Sequence, residues 1–340
     1  MATIHLCLGQ DGKPLDNVTL ESLPHILGQD VSVVWIDADA EDVASLDTLQ
    51  RMFGLHALAI EDARDRRQRA KYRIYDDMLY VEFYGLGLVG EDIEPQELAV
   101  FVGENFVITV RHDGQPSLEH IRKRWYDREA NSLSGRLSGN GQSPNGSGVR
   151  KRTSPMHLLY VMLDDAVDDY FPVVEWLGDE VSDLEDTVID DDGRMHQVEI
   201  HRLRRQVFRV RRLLAPEQEV LNMLLRRDVP MLEDALIPYF ADIHDHVLRV
   251  QDWTESYRDQ LTTIADIQVS MQSQRLDRTV RTLTVWSIIL MVCSLIAGIY
   301  GMNFHDMPEL GWRFGYPSAL GLMAVAAGSV GLYFRRRSWW

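Results

Sequence analysis

Between Arg281 and His305 the chain carries no formally charged residue, and a second uncharged run extends from Phe314 to Phe334. At about 1.5 Å per helical residue each run is long enough to cross the roughly 30 Å of bilayer hydrocarbon. Gly321, Gly328 and Gly331 in the second run are small residues that let a neighbouring helix approach closely in lipid. The stretch between them, His305 to Arg313, is too short to be a domain, so the two segments form a hairpin with both ends on one side. Arg275, Arg278 and Arg281 precede the first span and Arg335, Arg336 and Arg337 follow the second, which by the positive-inside bias puts both termini in the cytoplasm.

The rest of the chain is soluble in character. Mean hydropathy is −0.20, far too polar for a polytopic bundle. Met1 to Gly12 has neither a basic start nor a long apolar core, so the soluble part is expected to stay in the cytoplasm. Cys7 and Cys293 lie in unrelated contexts and form neither a disulfide framework nor a metal-ligand cluster. A net charge of −17 argues against nucleic acid, whose phosphates need clustered Lys and Arg, and favours cations as partners. Acids are plentiful, yet no nucleophile, base and orienting group come together, and no phosphate-binding loop is present, so an enzyme is not expected.

Residues 1–131 alternate β-rich runs with helical patterns and read as a cytoplasmic α/β domain of mixed sheet type. Val31–Ile36, Met78–Tyr84, Glu97–Val102 and Asn105–Val110 read as strands, Glu41–Phe53 and His56–Asp65 as helices. Residues 132–150, rich in Ser, Gly and Asn, read as a flexible insert. Residues 151–237 are helical and include a strongly acidic stretch; 238–281 form a stalk helix, 282–304 and 314–334 the spans, 305–313 an external loop and 335–340 a basic tail.

After Pro238 no proline occurs until Pro308, and Ile243, Val247, Val250, Tyr257, Leu261, Ile264 and Met271 recur in steps of three and four, with Thr254 and Gln268 at the missing positions. This predicts one helix of about 60 residues, roughly 90 Å, running into the first span. At about 100° per residue Asp266, Asp277, Thr284 and Met291 share one face. Several copies around an axis would turn that face into rings of carboxylates, hydroxyls and thioethers, the last a constriction able to gate by dewetting.

The run Tyr300-Gly301-Met302-Asn303-Phe304 closing the first span, Met307-Pro308-Glu309-Leu310 after it, and the basic tail ending in Trp339 and Trp340 resemble the CorA magnesium transporter family. The resemblance extends to FGLHALAIEDARDRRQRAKYRIYDDMLYV from Phe53, VGENFVITVR from Val102, HLLYVMLDDAVDDYFPVVEWLGDEV from His157 and YFADIHDH from Tyr239. It implies an α+β membrane protein assembled as a funnel-shaped homopentamer in the inner membrane, with five first-span helices lining a pore. It implies a selectivity filter of Gly301, Met302 and Asn303, and pore-lining Asp277, Thr284, Met291 and Ser294. Amide oxygens of Asn303 suit Mg2+, which keeps its octahedral water shell and is held through it. Glu309 and Asp306 would concentrate cations at the mouth.

The resemblance further implies that Mg2+ is both cargo and regulator, with no organic cofactor. Asp242 stands where the family holds a regulatory ion between subunits; Asp266 is a further candidate on the same helix. The partner acid is expected from the N-terminal domain, with Glu91, Asp92 or Glu94 as candidates, while His244 and His246 read as solvated stalk residues. Two positions depart from the family pattern: Asp277 in place of an Asn at the inner pore, and Val292 in place of a proline. The expected activity is passive uptake of Mg2+, with Co2+ and Ni2+; the alternatives are a CorA-like Zn2+ transporter, proton-coupled, and a membrane-anchored cation sensor.

Overall fold

The computed structural model describes residues 2–9, 15, 18–27, 31–66, 69–112, 118, 121–123, 154–190, 196–226, 229, 231–302 and 311–337. Two compact units emerge: Met1–Asp183 with Val198–Leu261, and Leu184–Gln197 with Thr262–Trp340. The insert 132–150, the Asn303 and Glu309 of the signature, and Trp339 and Trp340 lie outside the described residues.

The first unit is built on a six-stranded mixed sheet: β1 (Thr3–Gly9), β2 (Val31–Asp39), β3 (Lys71–Tyr75), β4 (Met78–Val89), β5 (Asp92–Val102) and β6 (Phe106–Arg111). The spatial order is β1-β2-β6-β5-β4-β3, with β2 and β6 parallel and the other pairs antiparallel. One face packs on α1 (Leu23–Leu27), α2 (Val43–Phe53) and α3 (Ala57–Arg64), where Leu46, Leu49, Ala59 and Ile60 meet Val34, Ile36, Tyr80 and Phe101. Asp42 caps α2 by accepting from the Ser45 amide at 3.1 Å, and Gly54 closes it at φ 67°, a backbone conformation glycine adopts without cost. Helix α4 (Pro155–Asp168) lies on β4, β5 and β6. Gly85 in β4 permits this approach, since a Cβ there would lie 3.4 Å from the Asp169 carboxylate and 3.5 Å from the Ala166 carbonyl oxygen. Helices α5 (Tyr170–Asp190), α6 (Gln197–Leu225) and α7 (Ile237–Tyr300) follow.

Two buried carboxyls set how helix and sheet meet. Strand β3 pairs with β4 only as far as Glu82, and beyond that point no strand lies beside the outer edge of β4 among the described residues. There the Tyr84 amide donates to Glu217 of α6 at 3.2 Å, and the Tyr170 hydroxyl donates to the same oxygen at 2.9 Å. Burial pushes the Glu217 carboxyl well above the usual range despite both bonds. Glu82, also fully buried, is pushed up to about 9 by burial and by its hydrogen bond to Glu97. Lys71 lies 3.3 Å from Glu82 but is shared with Asp62 at 2.9 Å, so it offsets only part of that rise. At the other end of the sheet Asp37 of β2 bonds Arg111 and, at 2.7 Å, the Thr109 hydroxyl of β6, fixing the register of the parallel pair.

The second unit contains the C-terminal part of α7 and helix α8 (Gly315–Arg336). Both helices are long and apolar enough to cross a membrane, and their apolar windows are only 6% buried. A core helix of a water-soluble protein would be covered, whereas here Leu290, Met291, Leu295, Val325 and Leu332 stand more than half exposed. Hydroxyls within the apolar part are satisfied internally: Thr284 donates to the Val280 carbonyl at 2.8 Å and Ser287 to that of Leu283 at 2.8 Å.

Expectation and structure agree on the four central strands, α2, α3 and the long helix, whose stripe is buried from Ile243 through Gln268 apart from the half-buried Tyr257. Strands β1 and β3 are additions. A neutral carboxyl at Glu82 makes its contribution largest below pH 4.5, and that contribution is lost as pH rises toward about 9, because the unfolded carboxyl ionises first. Thermal melting of the full-length protein in detergent from pH 5 to 9 should therefore show a steeper loss of Tm for the natural chain than for Glu82→Gln.

Candidate cation sites

Asp164, Asp242 and His246 bring one ligand atom each to within 4.8 Å of one another. Asp164 sits on α4, a helix whose faces are buried almost throughout, so a carboxylate there has little freedom to turn to solvent. Asp242 and His246 are one turn apart on α7, and the fully buried Ile243 and Val247 between and after them fix which way that turn faces. The His246 ring meets Phe171 edge-on at 5.5 Å, and its buried Nδ1 has no hydrogen-bond partner among the described residues. Two ligands at about 2.1 Å from a Mg2+ ion stand at most about 4.2 Å apart, so the group is slightly wider than a bound ion requires, and the exposed Asp242 is the member with room to turn. Two carboxylates and an imidazole fit a divalent ion, and the imidazole extends the range to Co2+, Ni2+ and Zn2+.

The other expected residues fall elsewhere. Within the chain Glu91 pairs with Arg202 at 2.9 Å and Asp92 accepts from Gln206 at 3.1 Å, both on α6. Asp266 is exposed further along α7 and joins no such group among the described residues. Sequence reasoning missed Asp164, and set His246 aside although it stands four residues from Asp242; that spacing was the available signal for the histidine, and nothing local marked Asp164.

On the membrane part of α7, Asp277 pairs with Arg281 at 2.6 Å, one turn on. Met291 and Ser294 are exposed, and Thr284 keeps lone pairs free for a ligand because its proton goes to Val280. The helix is continuous through Val292. At its end the Gly301 amide still donates to the Ala297 carbonyl at 2.9 Å, and a Cβ on Gly301 would come within 3.1 Å of that oxygen, so a glycine lets the chain leave the helix tightly. Met302 follows, half exposed.

An α/β unit bearing an acid-histidine cluster, on a chain with two helices long and apolar enough to cross a membrane, fits a membrane protein that handles divalent cations. Residues 30–336 match the family described as CorA-like Mg2+ transporter protein, and the chain belongs to that family of divalent-cation transporters. It is 30% identical over 301 residues to the cobalt/magnesium transport protein CorA of Thermotoga maritima, covering 86% of this chain and 80% of that one. It is 30% identical to the putative metal ion transporter YfjQ of Bacillus subtilis over 96% of this chain and 94% of that one. Its fold matches the complete CorA magnesium transporter structure from Methanocaldococcus jannaschii with a TM-score of 0.75 at 22% identity, covering 100% of this chain and 99% of that one.

Calorimetric titration with Mg2+ and Co2+ should show at least roughly tenfold weaker binding for Asp242→Ala and Asp164→Asn. His246→Ala should weaken Co2+ more than Mg2+, because an imidazole discriminates in favour of the softer ion.

Proposed function

We propose that the chain forms a passive uptake channel for divalent cations, chiefly Mg2+, driven by the membrane potential and held shut by cytoplasmic Mg2+ bound between subunits. The observation that carries this is one helix, α7, bearing both the Asp242–His246 pair and the membrane-spanning face of Thr284 and Met291. A divalent ion falling through about 100 mV gains roughly 4.6 kcal/mol, enough for uptake without nucleotide hydrolysis.

In this reading five copies surround a pore in the inner membrane with both termini in the cytoplasm. Asp277, Thr284, Met291 and Ser294 line it, Gly301, Met302 and Asn303 form the outer filter, and Glu309 draws cations toward it. The Asp277–Arg281 pair tempers the inner ring, since each carboxylate then carries a neutralising partner. In the cytoplasm Asp242, with Asp164 and His246 of the same chain and an acid from the next subunit, holds the regulatory ion; when it leaves, like charges repel and loosen the ring. No catalytic role is assigned to any residue.

His246 specifically supports a second reading, a CorA-like Zn2+ transporter coupled to protons, since imidazole is a good Zn2+ ligand. Flux into proteoliposomes separates the two, as well as a cation sensor that conducts nothing. The channel reading expects Mg2+ entry that follows an imposed potential, ignores a pH gradient and is abolished by Asn303→Ala. Zn2+ entry driven by protons would establish the second reading, and absence of all flux the sensor.

A further inference from the structure

Two surfaces of the soluble unit are left unmatched among the described residues. Helix α5 carries acids from Glu175 to Asp190 and no Lys, Arg or His. Helix α6 is rich in arginine, and most of its arginines are engaged: Arg202 with Glu180 at 2.5 Å, Arg211 with Glu255 at 2.7 Å, Arg204 with the Leu261 carbonyl at 3.3 Å and Arg209 with that of Ile93 at 2.6 Å. Arg205 and Arg212 have no acidic partner among the described residues and are exposed. Between them stands Phe208, 68% exposed. Spacings of three and four residues put all three on one stripe, an aromatic ring flanked by two free guanidinium groups.

The complementary surface is a groove of about 340 Å³ between α5 and α7, lined by Glu175, Gly178, Asp179 and Ser182 on one side and Trp253, Tyr257 and Gln260 on the other. Gly178 makes the groove possible: a Cβ there would fall 2.6 Å from the Tyr257 hydroxyl. Glu175 and Asp179 stand one turn apart, exposed, and have no basic partner among the described residues. Two carboxylates beside indole and phenol rings match a guanidinium, which pairs with carboxylate edges while stacking on aromatic faces.

We propose that this groove receives the Arg205–Phe208–Arg212 stripe of a second copy of the chain, with an arginine between Glu175 and Asp179 and Phe208 against the aromatic wall. A small organic diammonium would satisfy the groove but leave the arginine stripe uncovered; a second copy accounts for both. Because the two surfaces differ, the contact is head-to-tail, the type that closes identical subunits into a ring. The inference rests on the reading that the chain assembles as a ring of copies, and adds which surfaces join.

The test uses full-length chains carrying Cys7→Ser and Cys293→Ser. One tag marks Asp179→Cys chains and another marks Arg205→Cys chains, co-expressed and purified in detergent. A short bismaleimide is used, because a disulfide would need Cα atoms within about 7 Å. The expected result is a dominant mixed-tag product, with same-tag products at background. An assembly seen by native mass spectrometry without mixed-tag product overturns this contact while leaving the ring intact; monomers alone overturn the assembly on which it rests. With the cysteines placed instead at Ser182 of the groove chain and Phe208 of the stripe chain, loss of the mixed-tag product on Glu175→Arg with Asp179→Arg in the groove, and its return when the stripe chain also carries Arg205→Asp and Arg212→Asp, separates charge pairing from mere proximity. Failure of that return overturns the pairing.

Discussion

Inside a bilayer no water is available to satisfy a peptide group, so a chain that enters lipid must bring its hydrogen bonds with it. Helix α7 meets that condition by being uninterrupted from Ile237 to Tyr300. Its charged residues stop at Arg281, which pairs back to Asp277, and beyond it the hydroxyls of Thr284 and Ser287 turn to carbonyls of their own helix. The same continuity makes one element the carrier of Asp242 and His246 near its start and of Gly301 just past its end. Asp242 and the apolar membrane face therefore stand on one element.

The soluble unit supplies what α7 alone lacks. Asp164 brings a third ligand atom to the Asp242–His246 turn because α4 is clamped on the sheet through Gly85 and its buried apolar faces. Glu217 performs a related task for α6, satisfying the Tyr84 amide at the open edge of β4 from a carboxyl that burial keeps in its neutral form. Neutral buried carboxyls cost less than buried charges and still direct hydrogen bonds, which is how Glu82 and Glu217 stand in the interior.

Much of this was legible before the structure. Apolar runs flanked by arginines marked the spans, the absence of proline between Pro238 and Pro308 marked the long helix, and β-branched runs marked the central strands. What escaped has physical causes. The Lys71–Tyr75 strand alternates Lys, Arg and Tyr with little apolar content, since it lies at the sheet edge, where only its pairing with β4 makes it a strand. Asp164 lies in an apolar helical stretch, and its apposition to Asp242, distant in sequence, is a property of tertiary packing rather than of local pattern.

The claim that cytoplasmic cation binding controls the membrane part is most directly tested by current through planar bilayers holding the purified protein, with Mg2+ raised only on the side bearing the soluble unit. The account predicts that current in the natural chain falls as that Mg2+ rises and that Asp242→Ala stays conducting across the same range. Equal inhibition of both would place control elsewhere and contradict it.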